Sequence, residues 1–429
     1  MSGWTTAADG GRERNWSGNH RYTRGAFVEP ADLDELRRVV AGSARVRVLG
    51  TAHSFNEGPD TPGTQVSLAR LDQVRVDAEA GTCTVGGGTA YVTALPAMHE
   101  AGWALPNTGS LPHISVAGAV STGTHGSGVG NRVVASSVTA LTVVLPDGDL
   151  HTVRRGEPGF GGMVVGLGAT GVIAEVELAL QPTYDVVQDI HPGVTWETLL
   201  ADPLAVLGAG YSVSVFTRWR DEPVPGGREG AVGDVIVKHR TDDRRPPEEV
   251  EALLGPAQPD RAPSALLGAD EHLTPRGSVG PWYTRLPHFP PDGDPSFGHE
   301  DQSEWFVPLE DAAGAIAAVR ALEPLLAPVL ATSELRTVDA DDLWLSGSAG
   351  RASLAVHFTW RDVPERWAAV AAVEEALAPF APRPHWGKTF TRPVDLGLWE
   401  HADAWVAQRR ALDPDGCFTN PYLERLGLV

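Results

Sequence analysis

Between Ser115 and Gly128 the chain runs through nearly fifteen positions dominated by glycine, alanine and small hydroxyl side chains, with His125 the one large exception. Such a stretch lets a backbone approach a ligand closely, and its N–H groups can cradle phosphate. A flexible surface loop is the competing reading. Against it, Val116, Ala117, Ala119 and Val120 recur too regularly for a linker, which favours a pyrophosphate cradle. A second small-residue turn, Gly50-Thr-Ala-His-Ser54, follows directly on Arg45-Val-Arg-Val-Leu49, whose alternation predicts a strand. A strand thus delivers His53 into a tight turn, although a lone histidine is more often structural.

A third stretch, Gly166-Leu-Gly168-Ala-Thr-Gly171, fits Gly-x-Gly-x-x-Gly. A Rossmann site needs a helix after that motif. Here Val172–Leu180 reads as a strand, so a glycine-rich turn between strands is expected instead.

The remaining pattern is mixed. Residues 31–41 predict a helix, with acidic residues early and arginines late, as the helix dipole prefers. Residues 82–85 predict a short strand and 91–101 a helix. Thr139–Leu145 and Leu150–Val153 flank Pro146-Asp147-Gly148 and predict a hairpin. Helices near 309–323 and 363–379 alternate with strands near 304–307 and at 353–360. Residues 220–270, rich in Pro, Gly and charge, read as surface loop. With 429 residues the chain is too long for one core. The fold class expected is α+β with two domains.

Charge and cysteine usage narrow the chemistry. A formal net charge of −21 repels phosphate backbones and anionic lipid, so nucleic acid and membranes are poor partners. Cys83 and Cys417 are the two cysteines and form no Cys-x-x-Cys, which argues against a disulfide framework or cysteine-rich metal site. No zinc spacing, nucleophile elbow or nucleotide phosphate loop occurs, and no metal is expected. The N-terminus has no signal-like apolar run, and no stretch of about 18 apolar residues occurs, so a cytoplasmic location is the expectation.

Polar side chains then recur late at strand spacing. Glu334 and Arg336 are two apart and face one side of a strand, as do His357 and Thr359. A surface ion pair accounts equally well for Glu334 and Arg336. Pro384-His-Trp-Gly-Lys388 sets a cation among aromatics, where either a site or a plain aromatic cluster fits.

Six segments in order carry a resemblance: Val48–Ser54, Ser110–Gly118, Thr122–Gly128, Glu334-Leu-Arg336, His357-Phe-Thr359 and Pro384–Lys388. Together the chain resembles the alditol oxidases, a branch of the vanillyl-alcohol-oxidase flavoproteins with a PCMH-type FAD-binding domain, and the related sugar-1,4-lactone oxidases. The likeness runs from Asn15-Trp-Ser-Gly-Asn19 to Phe418-Thr-Asn420.

The resemblance implies an FAD-binding domain over 1–182, a substrate domain over 183–383, and a C-terminal segment, 384–429, that rejoins the first. It implies FAD bonded covalently to His53 at the 8α position. The cofactor would be lined by Val48, Leu49, Gly50, Thr51, Ala52, Ser54, Ser110, Ser115, Gly118, Thr122, Gly123, Thr124, His125 and Val172. Some relatives make a second, cysteinyl bond to the flavin, and the corresponding loop here has Ser110 and no Cys, so a single bond is expected. Substrate contacts carry over to Ser110, Gln302, Glu334, Arg336, Thr359 and Lys388. Among the groups acting on the alcohol, Arg336 and Lys388 meet the reacting hydroxyl, Glu334 accepts from the next, and His357 is the base or orienting group.

The implied reaction converts the C1 hydroxyl of an alditol such as xylitol or sorbitol to the aldose and reduces O₂ to hydrogen peroxide. Polyols offer neither charge nor an apolar body, so paired donors and acceptors must select them. Gly109, lacking a side chain beside the expected flavin, leaves O₂ a path and predicts an oxidase. The partners implied are a polyol and O₂, with a monomer expected. A lactone oxidase is the alternative within the fold, and a carbohydrate-binding protein that has lost its flavin is the alternative outside it.

Overall fold

A computed structural model of the chain describes residues 13–222, 229–258, 273–292 and 300–429. The first part carries two small sheets. Ala26–Val28, Thr64–Ser67 and Val46–Leu49 form a parallel sheet with Thr64–Ser67 in the middle. An antiparallel sheet runs in the spatial order Val74–Asp77, Thr82–Gly86, Val172–Ala179, Val138–Val144, Leu150–Arg154.

The expected helix at 31–41 appears as Leu33–Ala41, and the one at 91–101 as Tyr91–Glu100. The side chain of Asp32 accepts from the backbone N–H of Glu35 and caps the first of these. Val172–Ala179 follows Gly171 as a strand, which excludes a Rossmann crossover there. Gly148 adopts φ 85° in the turn of the expected hairpin, a conformation that favours glycine.

The larger unit is an antiparallel sheet of eight strands. Its order is Gly280–Pro281, Asp185–His191, Asp234–Arg240, Ser212–Thr217, Leu330–Val338, Ser353–Arg361, Glu300–Pro308, Arg383–Pro384. Alternation divides its faces. Val213, Val215, Val235, Val237, Leu335, Val356, Phe358 and Trp305 point one way and pack with Ala315, Ile316, Val370 and Val373. Those partners lie on helices Ala312–Arg320 and Arg366–Leu377, close to the two helices predicted. The opposite face carries the polar residues.

The surface-loop expectation for 220–270 is overturned within the described residues. Asp234–Arg240 is an interior strand with Asp234–His239 buried, and Pro247–Leu254 is a helix that buries Val250 and Leu254. A strand covered on both faces shows no polar–apolar alternation, so its composition misleads. Residues 223–228 and 259–270 of that stretch lie outside the described residues.

The chain's end packs onto its beginning. Cys417 and Phe418 share a core cluster with Leu36, Val46, Val66 and Val172, and the N–H of Val46 donates to the carbonyl of Cys417 at 2.8 Å. Among the described residues, no helix is long and apolar enough to cross a membrane.

Candidate active site

One continuous cavity runs from the small-residue turns to the polar face of the eight-stranded sheet. Its first wall is mostly backbone and small side chains: Gly50, Thr51 and Ala52 from one turn, and Ser115, Ala117, Gly118, Ser121 and Thr122 from the other. The two turns press together. A Cβ on Gly50 would lie 2.5 Å from Ser115 Oγ, and one on Gly118 would lie 2.7 Å from the same atom. The chain from Val116 to Thr122 is a short helix that Gly123 ends at φ 68°, which removes the competing reading of a flexible surface loop there.

His53 reaches the cavity through a strained turn. Ala52 sits in the left-handed region at φ 62°, which costs a non-glycine residue about 1–2 kcal/mol. The N–H of Trp16 donates to the Ala52 carbonyl at 2.7 Å and steadies it. The Trp16 indole stacks on the His53 ring with centroids 5.3 Å apart.

Arg47 is the cation of this end. It is buried and donates to the carbonyls of Gly58, Leu167, Gly168 and Phe418, and burial pulls its pKa down to about 10. None of the cavity-lining residues between Trp16 and Ile173 is a carboxylate, whereas Glu300, Glu304 and Glu334 all line the other end. A wall of bare backbone and hydroxyls with one buried cation suits an anionic dinucleotide such as FAD.

The other end is built by strand register. Glu304 pairs with His357, which pairs in turn with Glu334, while Gln302 and Thr332 flank Thr359 one step along. Those six side chains share the cavity face, joined by Arg336 from its strand and Lys388 from the loop beyond Arg383–Pro384. The Nη2 of Arg336 lies 2.6 Å from Glu304 Oε1, its Nε 3.5 Å from Glu334 Oε2, and its Nη1 3.3 Å from Ser110 Oγ. Glu334 and Arg336 are 5% and 6% exposed, which removes the surface-pair reading.

Electrostatics make the pattern legible. Burial opposes ionisation of Glu304, yet Arg336 and His125 override it and hold the carboxyl well below its usual range. Glu334 is likewise held low against burial, by Arg336 and His288. Burial would weaken the charge on Arg336, and Glu334 and Glu304 more than restore it. Lys388 is pushed down to about 8 by burial, against the pull of Glu304. Burial and then Lys388 lower His357, leaving a neutral imidazole near pH 7. Two carboxylates therefore balance two cations around a base able to take a proton.

Lys388 is placed by the His53 loop. Asn56 Nδ2 donates to the carbonyls of Trp386 and Lys388 at 2.8 and 2.9 Å, and the Phe55 N–H donates to Gly387 at 2.8 Å. The ammonium donates to Gln302 Oε1 and sits 5.1 Å from the Phe55 ring centroid.

Of the residues expected from sequence, the cavity gathers His53, Val48, Gly50, Thr51, Ala52, Ser54, Ser110, Ser115, Gly118, Thr122, Thr124, His125, Gln302, Glu334, Arg336, His357, Thr359 and Lys388. Leu49, Gly123 and Val172 stand off its wall. Leu49 packs with Tyr22 and Ala52, Gly123 caps its helix, and Val172 points into the core beside Val144. His125, expected only beside the cofactor, also reaches Glu304, with Nε2 at 3.1 Å from Oε1. Sequence reasoning missed Glu304, His288 and Lys238. The alternation of Glu300, Gln302 and Glu304 was a usable signal for the first.

Residues 25–154 match the FAD binding domain family, and residues 300–426 match the D-arabinono-1,4-lactone oxidase family. Over 425 residues the chain is 42% identical to an alditol oxidase of a Streptomyces species, covering 96% of this chain and 98% of that protein. It is 26% identical to the L-gulono-1,4-lactone dehydrogenase of Mycobacterium tuberculosis, covering 96% and 98%. A solved solvent-stable cholesterol oxidase shares the fold, with TM-score 0.74 at 16% identity, covering 96% of this chain and 97% of that one. Fold, cavity and cofactor domain together define an FAD-dependent oxidoreductase. Within that class the chain belongs to the alditol oxidase family.

Proposed function

We propose that this protein oxidises the terminal hydroxyl of alditols such as xylitol or sorbitol to the aldose, with O₂ reduced to hydrogen peroxide. The observation that carries the reading is the buried row of Glu304, His357 and Glu334 with Arg336 and Lys388 beside it. It supplies alternating donors and acceptors along one face of the cavity. FAD, when bound, would supply the hydride acceptor for the alcohol carbon.

The residues of the chain do the rest. Arg336 and Lys388 bind the reacting oxygen and stabilise the negative charge that grows on it. The neutral His357 takes the hydroxyl proton, which the adjacent Glu304, 3.7 Å from Nδ1, favours electrostatically. Glu334 accepts from the neighbouring hydroxyl, and Ser110, Gln302 and Thr359 hold the chain beyond. Val48–Ser54, with Ser115, Gly118, Thr122 and Thr124, would hold the cofactor, with His53 forming a single covalent bond to its 8α carbon.

The cofactor test is retention of yellow colour in an acid-precipitated pellet, lost in His53→Ala. Free flavin in the wild-type supernatant would refute the covalent bond. The match of residues 300–426 to a lactone oxidase family supports a second reading, sugar-1,4-lactone oxidation. Peroxide release with xylitol against a 1,4-lactone separates them: preference for the lactone would overturn the first. We further infer that the protein works as a cytoplasmic monomer. A dimer by light scattering would refute the monomer, and fractionation with an exported marker would refute the location.

A further inference from the structure

Glu334 is held by a residue that the mechanism above does not use. His288 lines the cavity, is 7% exposed, and places Nε2 at 2.9 Å from Glu334 Oε1. Arg336 Nε lies 3.5 Å from the other oxygen of the same carboxylate, so a hydrogen bond holds one Glu334 oxygen and an ion pair faces the other. The backbone of His288 matters as well. Its N–H and that of Phe289 both donate to the carbonyl of Ser110, at 3.1 and 3.2 Å. Arg336 closes the loop on Ser110 Oγ. Ser110, His288, Glu334 and Arg336 thus form a closed ring of contacts at the substrate end of the cavity.

The segment carrying His288 is anchored from the sheet. Lys238 on the interior strand Asp234–Arg240 donates through Nζ to the carbonyls of Leu286 and Pro287, at 2.5 and 3.0 Å. Thr274 adds a hydroxyl to Pro287 and an N–H to the carbonyl of His288. Burial and the nearby Lys238 keep the His288 imidazole neutral. Facing an ionised carboxylate, a neutral ring must carry its hydrogen on Nε2. Ser214 Oγ, 3.3 Å from the same nitrogen, lies within reach of that contact.

We propose that His288 is a positioning residue that aims Glu334 at the substrate hydroxyl next to the reacting one, with Lys238 fixing the segment that bears it. The inference rests on the alditol reading above. A carboxylate held from both sides leaves its remaining lone pairs in one direction, and a hydroxyl there is recognised strongly only while that direction is kept. Loosening Glu334 therefore lowers discrimination for that hydroxyl and leaves the chemistry at the terminal carbon intact.

Glycerol and 1,3-propanediol test this, because they differ only in the central hydroxyl and each presents two terminal hydroxyls. In flavin-loaded enzyme, His288→Leu should lower kcat/KM for glycerol at least about tenfold, about 1.4 kcal/mol of discrimination. Turnover of 1,3-propanediol should stay within about twofold. His288→Gln, whose amide reaches Glu334, should keep the wild-type ratio, and Lys238→Met should lower it. If His288→Leu fails to load flavin, the shorter His288→Asn, which cannot span to Glu334, takes its place in the comparison.

A parallel fall on both substrates, or an unchanged ratio in His288→Leu, would overturn the positioning role and leave the alditol reading standing. So would failure of His288→Gln to preserve the ratio. A wild type that oxidised a 1,4-lactone and neither probe would overturn both.

Discussion

Replacing Glu304 by glutamine keeps the side chain's shape and removes its charge. The carboxylate is 1% exposed and faces Arg336 at 2.6 Å, His125 at 3.1 Å and His357 at 3.7 Å. The glutamine NH₂ must turn towards one of these donors, and Arg336 loses its nearest counter-charge. Breaking a buried ion pair by removing one partner costs roughly 3–5 kcal/mol. With an unfolding entropy of about 2.1 cal/mol/K per residue, the 429 residues give about 0.9 kcal/mol/K. The melting temperature should then fall by roughly 3–6 °C, read by calorimetry on flavin-loaded protein.

Activity carries a second signature of the same change. Glu304 is the largest attraction that raises the Lys388 pKa, which stands at about 8. Lysine loses its charge as pH rises through its pKa, so lowering that pKa moves the loss to lower pH. The alkaline limb of the kcat/KM profile should shift towards neutrality in Glu304→Gln. A variant that melted within about 1 °C of wild type and kept its alkaline limb would refute Glu304 as the ionised centre of the site.

Other expectations follow from the same geometry. Lys388→Met should lower kcat by about 10²–10³ with flavin content unchanged, as loss of one group that stabilises charge on the reacting oxygen; steady-state kinetics at pH 7 decide it, and a loss below fivefold would place the charge elsewhere. Gly109→Val should slow reoxidation in stopped flow, because even a Cβ there would sit 3.1 Å from Thr124 Cγ2 against the cavity. Unchanged reoxidation would show that O₂ arrives by another route.

Much of the cofactor end was legible because it is local. A strand feeding Gly50-Thr-Ala-His53, and a small-residue run from Ser115 to Gly128, are contiguous in the chain and state their backbone requirements in residue types. The elements around them, from Leu33–Ala41 to Val172–Ala179, carry ordinary helix and strand periodicity and fell close to expectation. Asp234–Arg240 did not, since a strand buried on both faces and bearing Lys238 and His239 has neither alternation nor an apolar composition.

The sequence by itself determined that two small-residue stretches would bring backbone close together, that a strand would deliver His53 into one of them, and that Glu334 and Arg336 would share a strand face. Only the tertiary structure decided that those two are buried, that Glu304 and His357 stand beside them, and that His288 meets Glu334 from a segment held by Lys238. The physical reason is that charge and hydrogen bonding depend on distance and burial, and the partners of Glu334 come from elements as far apart in the chain as Lys238 and Lys388. A lone glutamate in a strand carries no mark of its counter-ions until the register of the sheet brings them together.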